Sequence, residues 1–173
     1  MKFLLVIDMQ VDFISAALGT PEAEAIVDAV AEKIRSFDGE VICTRDTHSP
    51  DYLQTQEGKN LPAPHCVFGS DGWQLDARIA AAAGEAKIID QPSFGSIELA
   101  TMLADRAKAD ESVESITLVG LCTDICVISN AMLLKAFLPE VPIIVESALC
   151  AGVTPESHAR ALEAMKMCQI TVA

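Results

Sequence analysis

The chain has 173 residues, 51% of them apolar, and we expect one domain over 1–173 with a single sizeable core. Its 12 basic and 25 acidic side chains give a formal charge of -13. This excess of acid argues against a nucleic acid or an anionic membrane as partner, because both attract clusters of lysine and arginine. Small molecules or proteins are the expected partners.

The cysteines and the first residues bear on the compartment. The stretch 1–7 is too short for the apolar core of a signal peptide, so the sequence predicts a cytoplasmic protein. Six cysteines lie mostly in apolar runs, without the density of a secreted disulfide scaffold, and we expect reduced thiols. No apolar run approaches the roughly 18 residues of a membrane span.

Strand-like and helix-like patterns alternate along the chain. The predicted strands are 2–7, 40–45, 86–90, 115–119 (ended by Gly120), 141–145 and 170–172. The predicted helices are 21–37 after Thr20, 75–83, 97–107, one capped by Thr123, and 155–167 after Thr154. This alternation predicts an α/β fold of three layers, α/β/α, around a mostly parallel sheet.

Polar side chains follow several of the predicted strands. Asp8 ends the first strand, Asp46 and His48 follow the second, Gln91 ends the third, and Cys126 follows the fourth. Ligands of such sheets bind outside the carboxyl ends of the strands. If the strand order is 3-2-1-4-5-6, strands one and four are neighbours, and Asp8 and Cys126 face one crevice.

Cys126 is the candidate nucleophile. It falls in the first turn of a predicted helix, where the partial positive charge of the helix N-terminus favours a thiolate. A nearby carboxylate such as Asp8 can accept the thiol proton. The alternative is an unreactive cysteine of the core, which is common on helices.

Two segments resemble the signatures of the isochorismatase-like cysteine hydrolases, which include nicotinamidases. They are Val6–Phe13 (Val-Ile-Asp-Met-Gln-Val-Asp-Phe) and Gly120–Val127 (Gly-Leu-Cys-Thr-Asp-Ile-Cys-Val). The resemblance covers essentially the whole chain and implies a six-stranded sheet of order 3-2-1-4-5-6 and a homo-oligomer.

The resemblance also assigns roles to residues. It implies that Asp8 is the base, that Cys126 is the nucleophile, and that the backbone N–H groups of Cys122 and Cys126 form the oxyanion hole. It further implies a non-proline cis peptide bond between Leu121 and Cys122. Phe13 and Leu121 are expected beside a flat substrate, although an aromatic side chain at Phe13 is also ordinary in a core.

Gln91 departs from the family pattern, in which the third catalytic residue is a lysine at this position. A neutral amide donates hydrogen bonds but cannot stabilise a thiolate by charge. Lys87 lies about 13 Å back along the strand, at roughly 3.3 Å per residue, and is not expected to replace it. We therefore expect Cys126 to be less activated than in relatives.

Asp46, His48 and His65 resemble the metal site of nicotinamidases. Imidazole and carboxylate ligands suit Zn, Mn or Fe. The alternative is a loop aspartate that caps its own turn and two surface histidines, and Tyr52 lies in a region where some nicotinamidases place a further histidine. The segment 49–72, rich in Pro, Gly, Asn and Gln, is interpreted as an active-site loop.

The sequence therefore predicts a nicotinamidase-like amidohydrolase that cleaves a small, planar amide to carboxylate and ammonia through a thioester. No nucleotide cofactor is implied. One alternative is a catalytically impaired member, with Gln91 in place of lysine, that binds a small ligand or a partner. A redox role for Cys122 and Cys126 is weaker, because their spacing is not Cys-x-x-Cys.

Overall fold

A computed structural model describes residues 1–109 and 113–173. Within these residues, six parallel strands form one sheet of order β3-β2-β1-β4-β5-β6. The strands are β1 (Lys2–Ile7), β2 (Glu40–Asp46), β3 (Lys87–Gln91), β4 (Ser115–Leu121), β5 (Ile143–Ala151) and β6 (Thr171–Val172). The predicted fold class and strand order are confirmed.

The helices cover both faces of the sheet. They are α1 (Val11–Ile14), α2 (Pro21–Ser36), α3 (Gln56–Asn60), α4 (Ala77–Ala83), α5 (Ile97–Lys108), α6 (Ile128–Phe137) and α7 (Pro155–Met167). The side chains of Thr20, Ser96 and Thr154 cap α2, α5 and α7 by accepting backbone N–H bonds. None of the helices in the described ranges has both the length and the apolar composition needed to cross a membrane.

Strand β1 lies at the centre of the sheet and is buried on both faces. Phe3, Leu5 and Ile7 belong to a core cluster that includes side chains of α5 and α6, whereas Leu4 and Val6 belong to a second cluster with those of α2. An uninterrupted apolar strand is expected wherever helices cover both faces of a parallel sheet.

Gly120 brings the carboxyl ends of β1 and β4 close together. It has a φ of +116°, pairs with Ile7, and a Cβ atom there would lie 2.2 Å from the Ile7 carbonyl oxygen. The expectation that Gly120 ends the strand is wrong, because β4 continues to Leu121. Glycine serves close backbone contact here rather than termination.

Two other segments differ from their predicted bounds. Strand β5 extends to Ala151, beyond the predicted end at Val145, although polar and small residues follow Val145. The segment 49–72, interpreted from the sequence as a loop, contains regular structure: a 3₁₀ turn at Tyr52–Gln54 and helix α3. In α3, the Thr55 hydroxyl accepts the Gly58 N–H at 3.0 Å and caps the helix.

Candidate active site and metal centre

Cys126 lies in a π-helical turn, Thr123–Val127, between β4 and α6. The Cys122 carbonyl accepts the N–H groups of Ile125 and Val127, both at 3.0 Å, which widens the turn. The Leu121–Cys122 peptide bond is cis, as the resemblance implied.

Thr123 does not cap the helix, contrary to the prediction. It is fully buried, and its Oγ1 lies 2.8 Å from Nδ1 of His158 on α7. The hydroxyl therefore joins the turn to α7 and is turned away from the backbone N–H groups that a cap would bind. His158 is itself partly buried.

Asp8 follows β1 in a left-handed conformation, with a φ of +46°, and its side chain is fully buried. Its Oδ1 accepts a 2.6 Å hydrogen bond from Thr44 Oγ1, and its Oδ2 accepts a 2.7 Å bond from Gln91 Nε2. The Asp8 N–H in turn donates to Thr44 Oγ1 at 3.2 Å. Residues from β2 and β3 thus fix both oxygens of the carboxyl group.

Asp8 and Cys126 interact directly. Burial, followed by the charge of Asp46, raises the pKa of Asp8 to about 7, against hydrogen bonds from Thr44, Cys126 and Gln91. Burial and then the Asp8 charge raise the pKa of the Cys126 thiol. The thiol therefore keeps its proton at rest, whereas its helical position predicted a stabilised thiolate. Burial dominates, and among the described residues no side chain that hydrogen-bonds Asp8 carries a positive charge.

Gln91 is fully buried between Asp8 and a residue that the sequence analysis missed, Asn130. Asn130 Nδ2 lies 3.2 Å from Gln91 Oε1 and 2.9 Å from the Cys126 carbonyl oxygen. Lys87 does not approach this group, as expected, since its Nζ contacts Met102 Sδ at 3.1 Å at the protein surface. The sequence feature that could have indicated Asn130 is its position as a polar residue one helical turn after Cys126 on an apolar helix.

The structure brings Asp46, His48 and His65 together and adds Glu57, which sequence reasoning missed. One possible ligand atom from each of the four lies within 4.8 Å of the others. Asp46 Oδ2 lies 2.9 Å from His48 Nε2 and 3.4 Å from His65 Nε2. The histidines are 7% and 3% exposed, so the alternative of two surface histidines is wrong.

The donor atoms suit a divalent metal. His48 Nε2 is buried, and its 2.9 Å approach to Asp46 Oδ2 lacks hydrogen-bond geometry within the described structure, an arrangement that a buried ring nitrogen avoids unless another partner binds it. His65 Nδ1 lies 2.8 Å from the Ala63 carbonyl oxygen and donates to it, which leaves the lone pair of Nε2 directed at Asp46 and Glu57. Two imidazoles and two carboxylates are a ligand set typical of Zn, Mn or Fe.

Neighbouring side chains support these four residues. The Gln10 amide is fully buried, donates to the Asp46 carbonyl at 2.8 Å and accepts the Asp46 N–H at 2.8 Å. Tyr52 is not a ligand: its ring packs 4.7 Å from that of His48, and its hydroxyl donates to the Leu61 carbonyl.

A cavity of about 570 Å³ joins the thiol to the metal group. Cys126, Cys122, Asp46, Glu57 and His65 line it, together with apolar side chains that include Phe13 and Phe94. Leu121 belongs instead to the core cluster that contains α2, and is fully buried.

One known protein family matches the sequence of this chain. The family model of the isochorismatase domain matches residues 2–173. The chain belongs to the isochorismatase family. No curated protein matches the chain by sequence.

Solved structures resemble this member of the isochorismatase family over nearly its whole length. A pyrazinamidase of Pyrococcus horikoshii in complex with zinc shares 29% identity, with a TM-score of 0.80 and coverage of 99% of this chain and 98% of that one. PnC1 from L. infantum in complex with nicotinate gives 21% identity, a TM-score of 0.85 and coverage of 100% and 92%. A Bacillus subtilis nicotinamidase/pyrazinamidase shares 24% identity, with a TM-score of 0.77 and coverage of 99% of this chain and 98% of that one. The family and these neighbours support a hydrolase.

Proposed function

We propose that this protein is a cysteine-dependent amidohydrolase that converts a small, planar amide to a carboxylate and ammonia. The observation that carries the proposal is that Cys126 lines a cavity while its sulfur interacts with the buried carboxyl group of Asp8. A nucleophile within reach of a base, beside space for a substrate, is the arrangement that acyl transfer requires.

In the proposed reaction, Asp8 takes the thiol proton as the Cys126 sulfur attacks the amide carbon. Backbone N–H groups of Cys122 and Cys126 receive the charge that develops on the carbonyl oxygen. Asp8 then gives its proton to the departing nitrogen, which leaves as ammonia, and a thioester remains on Cys126. Water, deprotonated by Asp8, cleaves the thioester to a carboxylic acid and restores the thiol.

A pKa of about 7 suits Asp8 to both roles, because a group that accepts and returns a proton works best with a pKa near the operating pH. The raised pKa of Cys126 means that the proton moves only as the sulfur attacks, rather than beforehand. This requirement, imposed by burial and by the charge of Asp8 and not offset by a charge on Gln91, is consistent with slow turnover.

A bound Zn, Mn or Fe ion would supply a Lewis acid that polarises or anchors a ring nitrogen of the substrate. Asp46, His48, Glu57 and His65 would hold it, and three of them, Asp46, Glu57 and His65, line the same cavity as Cys126. Support comes from the buried His48 Nε2, which lies beside Asp46 without hydrogen-bond geometry, and from the similar pyrazinamidase that was solved with zinc.

The cavity favours a neutral substrate. Its carboxylate lining residues are Asp46 and Glu57, beside His65, and none of the described residues that line it is a lysine or arginine. Phe13 and Phe94 provide flat apolar surfaces against which a planar ring can pack. An aromatic carboxamide fits this lining better than a dianion such as isochorismate.

Ammonia release from neutral aromatic amides, nicotinamide and pyrazinamide among them, and from aliphatic amides tests the proposal. We expect activity that favours the aromatic amides, that Cys126→Ala abolishes and that Cys168→Ala retains, since Cys168 is exposed at the end of α7. Activity that persists in Cys126→Ala would contradict the mechanism.

A second candidate is a ligand-binding protein of low activity, favoured by the absence of a cation beside Asp8 in the part of the chain that the structure describes. It predicts that nicotinamide binds wild type and Cys126→Ala equally and is not hydrolysed by either.

A further inference from the structure

We propose that Asn130 is a positioning residue of this site: it fixes the orientation of the Gln91 carboxamide so that the NH2 group faces Asp8. The inference rests on the proposed function and deepens it, because it explains how an amide works where the resembling family has a lysine. It is carried by a chain of hydrogen bonds from α5 through α6 and β3 to Asp8.

The chain begins at Ser96, whose backbone N–H lies 2.9 Å from Asn130 Oδ1. A backbone N–H can only donate, so the atom of Asn130 that faces it must be the oxygen. The Asn130 NH2 group is thereby directed to its other three neighbours, which are the carbonyl oxygens of Cys126 and Phe94 and the side chain of Gln91.

The same argument fixes Gln91. Because the Asn130 NH2 group can only donate, the atom of Gln91 that lies 3.2 Å from it is the oxygen, Oε1. The Gln91 NH2 group must then point the other way, to Asp8 Oδ2 at 2.7 Å. The opposite orientation would place an oxygen against the Asp8 carboxylate and two NH2 groups against each other, in a fully buried site.

Thr44 completes the arrangement from β2. Its Oγ1 accepts the Asp8 N–H, so its own proton is directed to Asp8 Oδ1 at 2.6 Å. Both oxygens of Asp8 therefore face donors, and the group is held as a proton acceptor toward Cys126. The negative charge of Asp46 acts against the ionised form of Asp8, whereas the hydrogen bonds from Thr44 and Gln91 favour it.

A lysine at position 91 would not need Asn130 for this purpose, because an ammonium group presents donors in every direction and has no acceptor end. A carboxamide has two different ends and does need a partner that selects one. The orienting effect of Asn130 therefore operates only when residue 91 is an amide, whereas its bonds to Ser96, Phe94 and Cys126 persist with a lysine, and this dependence separates a positioning role from a structural one.

The test is a double-mutant cycle of Asn130→Leu and Gln91→Lys. The first readout is the rate at which iodoacetamide alkylates Cys126 at pH 7, followed by mass spectrometry of the peptide that carries it. The second is ammonia release from nicotinamide. Thr20→Ala serves as the stability control, because it removes a helix cap on α2 without touching these residues.

We expect Asn130→Leu to slow alkylation of Cys126 about tenfold when residue 91 is glutamine, because the Gln91 NH2 group is then no longer held toward Asp8. In the Gln91→Lys background the loss should shrink to about twofold. Equal losses in both backgrounds, or none in either, would overturn the inference. If Asn130→Leu does not fold, Asn130→Ser, which is too short to reach Gln91, replaces it in the same cycle.

The two readouts separate this inference from the proposed function. If the wild type releases no ammonia from any amide, the proposed function fails, whereas the alkylation rates still decide whether Asn130 orients Gln91.

Discussion

Gln91 Nε2 donates a 2.7 Å hydrogen bond to Asp8 Oδ2 from the end of β3, which β2 separates from β1 in the sheet. The bond places a neutral donor at the position where the family pattern described above has a lysine. Because the amide supplies no charge, burial leaves the pKa of Asp8 near 7 and that of the Cys126 thiol above its ordinary value. The reactivity of the sulfur therefore depends on how well Asp8 accepts its proton.

Replacement of Gln91 by lysine should make Cys126 more reactive. A cation beside Asp8 and the sulfur lowers the pKa of both groups, and we expect alkylation of Cys126 at pH 7 and amide hydrolysis to rise about tenfold. Gln91→Met, similar in size but unable to donate, should lower both rates. If Gln91→Lys changes neither the thiol pKa nor the hydrolysis rate, the account of this position is wrong.

The rate of amide hydrolysis should depend on pH through Asp8. The base must be ionised to accept the thiol proton, so kcat/KM should rise with pH and level off above a midpoint near 7, the pKa of Asp8 in the metal-free protein. Below the midpoint it should fall about tenfold per pH unit.

Zinc should move this midpoint to lower pH, because the charge of Asp46 contributes to the raised pKa of Asp8 and the ion would offset that charge. Asp8→Asn should lose the activity, and any residual kcat/KM should no longer fall below pH 7. A profile that is flat between pH 5 and 8 in the wild type would show that Asp8 is not the base.

Zinc should bind at Asp46, His48, Glu57 and His65 and stabilise the folded protein. At zinc concentrations of about 100 times Kd, the gain of roughly 2.7 kcal/mol should raise Tm by about 5–10 °C. His48→Ala should abolish the shift, and Glu57→Gln should reduce it. Glu163→Gln, at an exposed carboxylate on α7, is the matched control and should leave the shift intact. An equal shift in His48→Ala would place the ion elsewhere.

Phe13 should contribute to the selection of flat substrates. Its ring lines the cavity, with its centroid 5.5 Å from that of His65. Phe13→Leu keeps an apolar side chain but removes the ring, so KM for nicotinamide should rise about 2- to 10-fold, while KM for an aliphatic amide changes little. Phe68→Leu, at an exposed ring packed on Trp73, is the control. Equal changes for both amides would show that Phe13 serves the core.

Much of this architecture follows from local sequence patterns. The pattern of 2–7 predicted strand β1 with its observed bounds, and Thr20 and Thr154 marked the starts of α2 and α7 correctly. Residues at the carboxyl ends of parallel strands meet at one edge, so Asp8, Gln91 and Asp46 could be placed together in advance.

The remaining features depend on contacts between distant segments. Glu57 lies in a short helix whose position is set by the packing of its loop, and the spacing from Asp46 or His65 does not reveal it. Asn130 reaches Gln91 across 39 positions of sequence, and only the layered fold joins them. The position of Cys126 on a helix predicts a lowered thiol pKa, but burial raises that pKa. The extent of burial depends on the whole fold and cannot be inferred from the local sequence.

The central claim is that Cys126 and Asp8 form one nucleophilic centre, and trapping of the acyl-enzyme tests it most directly. Acid quench of the wild type during turnover of nicotinamide, followed by peptide mass spectrometry, should reveal a nicotinoyl group on Cys126. The group should be absent from Asp8→Asn and present in Cys168→Ala. Turnover with no acyl group on Cys126, or an acyl group that still forms at the wild-type rate in Asp8→Asn, would contradict the account.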